Sequence, residues 1–426
     1  MLLRKPRGLL ATTTTTTTRT RRRCLSSLGR LSAEETMLRE SVRRFAQDVI
    51  KPRVAEMDER ASLAPEVLGG LFETGLMGMT VAEDFGGSGL SFFSCCLAVE
   101  EIARVDPSVA VIVDIQNTLV NTCLEKWGTD DQKNKWLPRL AEDTASSFCL
   151  SEPGSGSDAF GALKATATKI EGRRYRLNGE KAWISNAKEA GLFLVMANAD
   201  PSLGYRGVTC FLVPRDTKGL TIGPPEKKLG IKASSTCPVS LEDVVVDDSA
   251  VLGGVGRGYK IAIESLNEGR VGIAAQMVGL AKGALDVALP YVDERVQFGR
   301  PISHFQGIQF QIAQAATEVH AAEALVYDVA RHVDRCSSHQ GKDDEAPPPP
   351  PVKEAAMAKL FASQVAERTA SRCVEWLGGV GFTTAYPCEK FYRDAKIGAI
   401  YEGTSNIQLA TIAKYLLNQQ GTTSPK

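Results

Sequence analysis

Apolar positions change their period twice along the chain, and the changes divide it into three parts. Ser32 and Glu35 stand at capping-box spacing, where each can satisfy a free backbone N–H at a helix start. Leu38, Val42, Phe45, Val49 and Ile50 then fall on one face at helical spacing. Pro52 disturbs this pattern without erasing it, and further helical segments reach about Arg139, broken by the turn-rich Glu83–Gly89. Residues 34–147 therefore read as a helical domain. From Phe148 the runs shorten: Tyr175–Leu177, Leu192–Ala197, Val208–Val213 and Val239–Val246. Short strands at regular spacing predict an antiparallel sandwich or barrel over 148–257. Asn178-Gly179 lies between two of these runs, and both residues tolerate positive φ, so a hairpin turn is expected there. From Gly258 the helical period returns, at about Tyr259–Gln297, Phe305–Asp334, Val352–Leu377 and Ser405–Leu417. Four such segments in succession predict a C-terminal four-helix bundle over 258–418. The class is α+β, with a short tail at 419–426. Between the second and third long segments lies 336–351, which ends in the prolines Pro347–Pro351. Proline cannot continue a helix, so this is read as an exposed surface insertion rather than a partner-docking site.

Charge adds a fourth part. The chain has 426 residues, 50 basic and 50 acidic. Arg4, Lys5, Arg7, Arg19, Arg21, Arg22, Arg23 and Arg30 all precede the first acid, Glu34. Setting those eight aside leaves 42 basic against 50 acidic residues, a net charge of −8 for the body. A leader over 1–33 that is arginine-rich, acid-free and carries the run Thr12–Thr18 has the composition of a mitochondrial transit peptide, which implies the matrix. The alternative, a basic tail for nucleic acid, finds no second basic patch in the acidic body. Run lengths show no stretch of ~18 apolar residues, so no membrane span is expected. The ten cysteines show no C-x-x-C pair, and there are only four histidines. Reduced buried thiols are expected rather than a disulfide framework, and neither a metal site nor a Ser-His triad is supported.

Four segments could carry chemistry. FCLSEPGSGS, Phe148–Ser157, mixes small residues and free N–H groups that let backbone approach a flat ring or a phosphate. It lacks the third glycine of a dinucleotide fingerprint, and no βαβ unit surrounds it. In Trp183-Ile184-Ser185 an indole could pack on a ring system and a hydroxyl could bond a heteroatom. Asn267-Glu268-Gly269-Arg270 places a glycine inside a long helix, at a cost of ~1 kcal/mol against alanine, which suggests that it makes room. Glu402 lies on a loop before the last helix, whose start Thr404 or Ser405 can cap and whose N-terminus favours anions. Taken singly, each segment is more often an ordinary loop, a core tryptophan or a solvated charge.

Together they resemble the acyl-CoA dehydrogenase family, over roughly residues 38–417. LSEPGSGSDA, LNGEKAWISNA, QFGRPI, LGGVGF and YRDAKIGAIYEGTSNIQ carry the resemblance, in that order. It implies a helical domain, a β domain and a four-helix bundle with FAD between them, in a homotetramer. By the same resemblance Phe148, Cys149, Leu150, Ser151, Glu152, Pro153, Gly154, Ser155, Gly156 and Ser157 line the flavin with Trp183, Ile184 and Ser185. Arg295, Gln306, Glu375, Trp376, Leu377, Gly378 and Gly379 contact FAD, partly on a neighbouring subunit. Thr404, Ser405 and Asn406 hold it at the last helix. Ser157, Tyr205, Tyr259, Asn267, Glu268, Gly269, Arg270 and Gly403 face the acyl-CoA substrate, and Glu402 is the base. The family uses two alternative base positions, and the second aligns with Gly269. Glu268 is one residue earlier, about 100° around the helix, and is expected to point away. The resemblance further implies α,β-dehydrogenation to the enoyl-CoA, with electrons passed to an electron-transfer flavoprotein. IQNTLVNTC, GLFLVMANADPSLGYRG and SLNEGRVGIAAQM are most similar to the branch acting on 2-methyl-branched short acyl-CoAs, with the straight short-chain (butyryl-CoA) branch as the alternative. Two other classes fit less well. An acyl-CoA oxidase of peroxisomes would not carry this leader, and the chain ends Ser424-Pro425-Lys426 rather than S-K-L. A non-catalytic helical scaffold would not need a glutamate at 402.

Overall fold

The computed structural model describes residues 31–338 and 348–418. Most of the basic leader, residues 339–347 of the insertion and the tail 419–426 lie outside the described residues. The capping box is present: Ser32 Oγ accepts from Glu35 N at 3.1 Å, and Glu35 Oε2 accepts from Ser32 N at 2.8 Å. It opens α1 (Ala33–Phe45), after which a π turn at Ala46–Ile50 and a 3-10 turn at Lys51–Arg53 absorb Pro52 before α2 (Val54–Arg60). α3 (Pro65–Glu73), α4 (Phe92–Ala103), α5 (Pro107–Asp114), α6 (Thr122–Trp127) and α7 (Asp130–Glu142) complete the helical part. α5 and α6 are joined by a fully buried π-helical stretch, Ile115–Asn121.

Strands follow: β1 (Ala145–Cys149), β2 (Thr166–Ile170), β3 (Arg174–Ser185), β4 (Ala190–Asn198), β5 (Val208–Pro214), β6 (Leu220–Ile222), β7 (Thr236–Asp247) and β8 (Val251–Leu252). Their order is β6-β7-β3-β2-β4-β5-β8, with β1 beside β4. The sheet is mixed rather than purely antiparallel. β1 runs parallel to β4, Phe148 opposite Leu194, and β2 meets β4 in parallel at Thr166 and Asn198. Parallel pairing is open to them because long connections, not hairpins, separate them from β4 in the chain. The hairpin expected at Asn178-Gly179 is absent. The β2–β3 turn lies at 171–173, where Gly172 and Arg173 have φ of +76° and +58°. Gly179 sits inside β3 for a different reason: a Cβ there would lie 2.7 Å from Ala165 Cβ, and the register with β7 shifts at this point.

The bundle comprises α8 (Gly258–Glu294), α9 (Gln306–Ser338), α10 (Val352–Leu377), the short α11 (Cys388–Ala395) and α12 (Ser405–Asn418), with a small hairpin of β9 (Val296–Gln297) and β10 (Arg300–Pro301) after α8. α8 is its axis, buried without a break from Gly269 to Leu285. By length and composition α8 could cross a membrane, contrary to the run-length reading, but 89% of its most apolar window is buried inside the fold. Run length alone overlooks it because Gln276 and Lys282 interrupt the otherwise apolar stretch Val271–Leu285. The insertion is not exposed throughout. Pro351 is buried at the start of α10, Cys336 Sγ donates to Pro348 O at 3.4 Å, and His332 Nε2 lies 2.9 Å from Pro349 O. The nine described cysteines are all free, and eight of them are buried.

α11 is too short to show as a period, since eight residues are barely two turns. Its side chains nevertheless tie the three parts together. Lys390 Nζ reaches Asp106 Oδ1 at 2.9 Å in the helical part and Asp394 Oδ2 at 2.6 Å in its own helix. Asp394 Oδ1 accepts from Ile231 N at 2.5 Å in the strand region. Arg393 pairs with Asp58 at 2.7 Å and donates to Leu229 O at 3.2 Å.

Candidate active site

Ile400–Thr404 connects a 3-10 turn (Lys396–Ala399) to α12, and Thr404 Oγ1 caps that helix by accepting from Ile407 N at 3.3 Å. Glu402 and Gly403 are both left-handed, with φ of +51° and +85°. That conformation is natural for glycine and uncommon for glutamate, so the surroundings must hold it. Gln408 Nε2 donates to Glu402 O at 2.9 Å and to Gly403 O at 2.8 Å, and Lys359 Nζ donates to Gly403 O at 2.7 Å. The Tyr401 hydroxyl donates to Gln276 Oε1 on α8.

The Glu402 side chain reaches the α8 helix at Gly269. A Cβ at 269 would lie 2.8 Å from Glu402 Oε2 and 3.0 Å from Leu119 Cδ2, so the missing side chain is the space the carboxylate uses. Oε2 is sealed from solvent and has no hydrogen-bond partner in the structure. Burial pushes this carboxyl up to about 7, against the opposing pull of the Arg270 and Lys359 cations. A carboxylate so placed is poised to take a proton near neutral pH. Glu268 is turned away, and its carboxylate pairs with Lys126. Arg270 is buried, with Nη1 donating to Asn267 Oδ1 at 3.0 Å and Nε unpartnered. One turn along, a Cβ at Gly272 would lie 1.8 Å from Asp114 Oδ1, which accepts from Thr118 Oγ1 at 3.1 Å. Burial raises the Asp114 carboxyl well above its ordinary range, and the Glu402 charge raises it further.

A second group assembles around β1 and β3. Ala182 N donates to Ser151 O at 2.9 Å and Ser147 Oγ to Ser185 O at 2.8 Å, which sets the Leu150–Ser157 loop beside Trp183. The β3–β7 register shifts between Lys181 and Ile184, and this irregularity lifts Trp183 out at φ +61°, 63% exposed. Glu152 and Ser155 exchange backbone bonds of 3.0 Å, closing a tight turn whose Pro153, Gly154, Gly156 and Ser157 are exposed. The Glu152 side chain turns inward to Lys181 at 2.8 Å and accepts from Lys164 N and Ala165 N, and Ser155 Oγ donates to Asp158 O. Cys149, Leu150, Ile184, Trp376 and Leu377 are core residues, so whatever they offer a ligand comes from their backbone.

At the start of α8, Tyr259 packs edge-to-face against Phe160 and at a tilt against Tyr205, both at 4.8 Å between centroids. Tyr205 and Tyr259 are 46% and 37% exposed, so this aromatic group stands at the surface, ten residues before Gly269 on α8. Arg295, Gln306, Glu375, Gly378 and Gly379 are exposed elsewhere. Arg295 caps the far end of α8, 25 residues beyond Arg270, or about 38 Å along a helix. The chain therefore does not bring Arg295 to its own Glu402. Ser405 and Asn406 occupy the first turn of α12.

Sequence reasoning missed Lys359, Asp114, Gln408 and Lys181. A signal existed for the first two: Lys359 falls on the face of α10 that carries the buried Ala355, Ala362 and Ala366, and Asp114 ends the apolar run Val109–Val113. A charge at a core position needs a reason.

The site thus has two parts: an open small-residue loop beside an upstanding indole, and a buried unpartnered carboxylate against a helix notch. Three family models match in sequence order: acyl-CoA dehydrogenase, N-terminal domain, over residues 32–144; middle domain, over 147–244; and C-terminal domain, over 256–417. The chain belongs to the acyl-CoA dehydrogenase family and, with it, uses FAD and acyl-CoA and passes electrons to an electron-transfer flavoprotein. It is 54% identical over 390 residues to the mitochondrial short/branched chain specific acyl-CoA dehydrogenase of Bos taurus, covering 92% of this chain and 87% of the relative. It is 41% identical to the mitochondrial short-chain specific acyl-CoA dehydrogenase of the same organism, over 89% of each. The structure of butyryl-CoA dehydrogenase from Megasphaera elsdenii superposes with a TM-score of 0.86 at 36% identity, over 91% of this chain and 99% of that one.

Proposed function

We propose that this chain dehydrogenates short, 2-methyl-branched acyl-CoA thioesters of the 2-methylbutyryl type, with Glu402 removing the α-proton. The observation that carries this is the unpartnered Glu402 Oε2, dry and aimed into the side-chain-free notch at Gly269. The α-proton of a thioester is weakly acidic, so a base with raised proton affinity in a water-excluded site suits it. Glu268 is a poor candidate because Lys126 already occupies it. FAD, when bound, supplies an acceptor for the β-hydrogen as hydride. The residues fit it: Gly154, Gly156, Gly378 and Gly379 have open space where a Cβ would stand, and Trp183 offers an indole face. The backbone of 148–157, Trp183–Ser185 and Thr404–Asn406 would hold it, and Ser157, Tyr205, Tyr259, Asn267, Arg270 and Gly403 would meet the thioester. The stronger identity to the short/branched relative than to the short-chain one supports the branched substrate, and the basic leader supports a matrix location. Protein purified from the mitochondrial matrix is expected to begin past Arg23 and to turn over 2-methylbutyryl-CoA faster than isobutyryl-CoA or butyryl-CoA. An intact Met1 would remove the location, and a preference for butyryl-CoA would move the enzyme to the straight-chain branch.

The assembly we propose is a homotetramer in which Arg295, Gln306 and Glu375–Gly379 serve the FAD of a neighbouring subunit. The separation along α8 supports it, and so do Phe298, Phe310 and Phe382, which are 94%, 64% and 88% exposed. Aromatic side chains are enriched at protein interfaces. A guanidinium can clamp a pyrophosphate with paired hydrogen bonds. Arg295→Ala should therefore weaken FAD retention and tetramer formation together, read by flavin occupancy at low FAD and by sedimentation. Full occupancy in an unchanged tetramer would refute the shared site.

A further inference from the structure

Lys359 is fully buried on α10, and among the described residues it has no carboxylate within ion-pair distance. Its Nζ donates to a single carbonyl, that of Gly403, at 2.7 Å. Burying an ammonium is expensive, and a methionine of similar length would fill the same space without that cost. What the ammonium does that a thioether cannot is hold a carbonyl oxygen. That oxygen belongs to the residue after Glu402, in a pair of left-handed residues whose first member is not glycine. Such a conformation persists only where its surroundings over-determine it. Two donors do so here, Lys359 and Gln408, both on the Gly403 carbonyl.

We propose that Lys359 is a positioning residue for proton abstraction: its ammonium holds the Gly403 carbonyl and so keeps Glu402 in its left-handed conformation, with Oε2 in the Gly269 notch. The proposal rests on the reading of Glu402 as the base. The charges facing that carboxylate come from three helices: Arg270 on α8, Lys359 on α10 and Asp114 on α5. Asp114 is held toward its neutral form by burial. Lys359 itself is pulled down to about 8, by burial first, with the Glu402 charge opposing. Loss of its positive charge leaves Arg270 alone to favour the Glu402 carboxylate, so the proton affinity of the base rises.

The test is anaerobic reduction of the bound flavin by 2-methylbutyryl-CoA in purified FAD-loaded enzyme, per bound flavin and across pH, for wild type, Lys359→Met, Lys359→Arg and Glu402→Gln. Lys359→Met should slow reduction about 10²-fold, the scale of a misplaced catalytic group. Its acid limb should move up by about one pH unit, since an opposite charge has been removed. Lys359→Arg keeps the charge but displaces the donor, so it should be slowed less, with the limb unmoved. A merely structural lysine would give less flavoprotein, all of it reducing at the wild-type rate with the wild-type limb, and that result overturns the proposal. If Lys359→Met yields no soluble flavoprotein, Lys359→Arg decides: a slowed rate supports the proposal and a wild-type rate overturns it. Fast reduction by Glu402→Gln would remove the base reading and this proposal with it. An inert Glu402→Gln beside wild-type Lys359 variants overturns this proposal alone.

Discussion

Glu402→Gln should bind FAD and acyl-CoA yet fail to bleach the flavin. General-base loss typically costs ~10²–10⁴ in rate, and more where water cannot substitute. Water is excluded here, because Oε2 is sealed against α8. The substitution keeps size and shape, and the Gln408 bonds to the 402 and 403 carbonyls do not involve the side chain. Fold and flavin content should therefore survive, which separates a chemical loss from a structural one. The sign of the pH dependence follows from the same carboxyl. It is active as the carboxylate and its proton leaves at about 7, so wild-type reduction should rise as pH increases through that value. Rapid bleaching by Glu402→Gln, with Glu268→Gln inert, would falsify the assignment and move the base to α8.

Lys181→Met should destabilise the whole strand region and loosen the 150–157 loop proposed to line FAD. Lys181 is completely buried, pairs with Glu152 at 2.8 Å and donates to Leu150 O at 3.1 Å. Glu152 in turn accepts from Lys164 N and Ala165 N. Removing one partner of a buried pair leaves an uncompensated charge and costs about 3–5 kcal/mol. Because the remaining charge lies in the turn that presents Gly154 and Gly156, the thermal midpoint and the affinity for FAD should fall together. A midpoint lowered at unchanged FAD affinity would confine the pair to stability, and no change in either would contradict the account.

Long-range order was legible in the sequence where periods were long. The start of α1, the span of α10 and the return of helix after Gly258 all follow from apolar spacing and caps. Asn178-Gly179 misled because glycine serves both turns and close approaches, and only the packing against Ala165 distinguishes them. The strand pairing of β1 could not be read, since alternation within a strand does not name its neighbour. At the candidate site, the segments that carry Glu402 and Trp183 were recognisable in the sequence. Those that hold them were not. Lys359, Gln408 and Asp114 lie 43 residues before, six after and 288 before Glu402, and only folding brings them to one place.

The junction at α11 bears on how substrate gets in. Domains joined by small polar contacts can swing apart, and many enzymes use such hinges to admit and enclose their ligands. Here Lys390, Arg393 and Asp394 hold Asp106, Asp58, Leu229 and Ile231 from two other domains at once. Swinging any one of the three away from the others would strip buried charges of their partners, the costliest kind of opening. The aromatic side chains at Tyr205 and Tyr259, on a short turn and a helix start, are partly exposed and take no part in that frame. On the proposed reading of Tyr205 and Tyr259 as substrate contacts, acyl-CoA is expected to enter by movement of side chains rather than of domains.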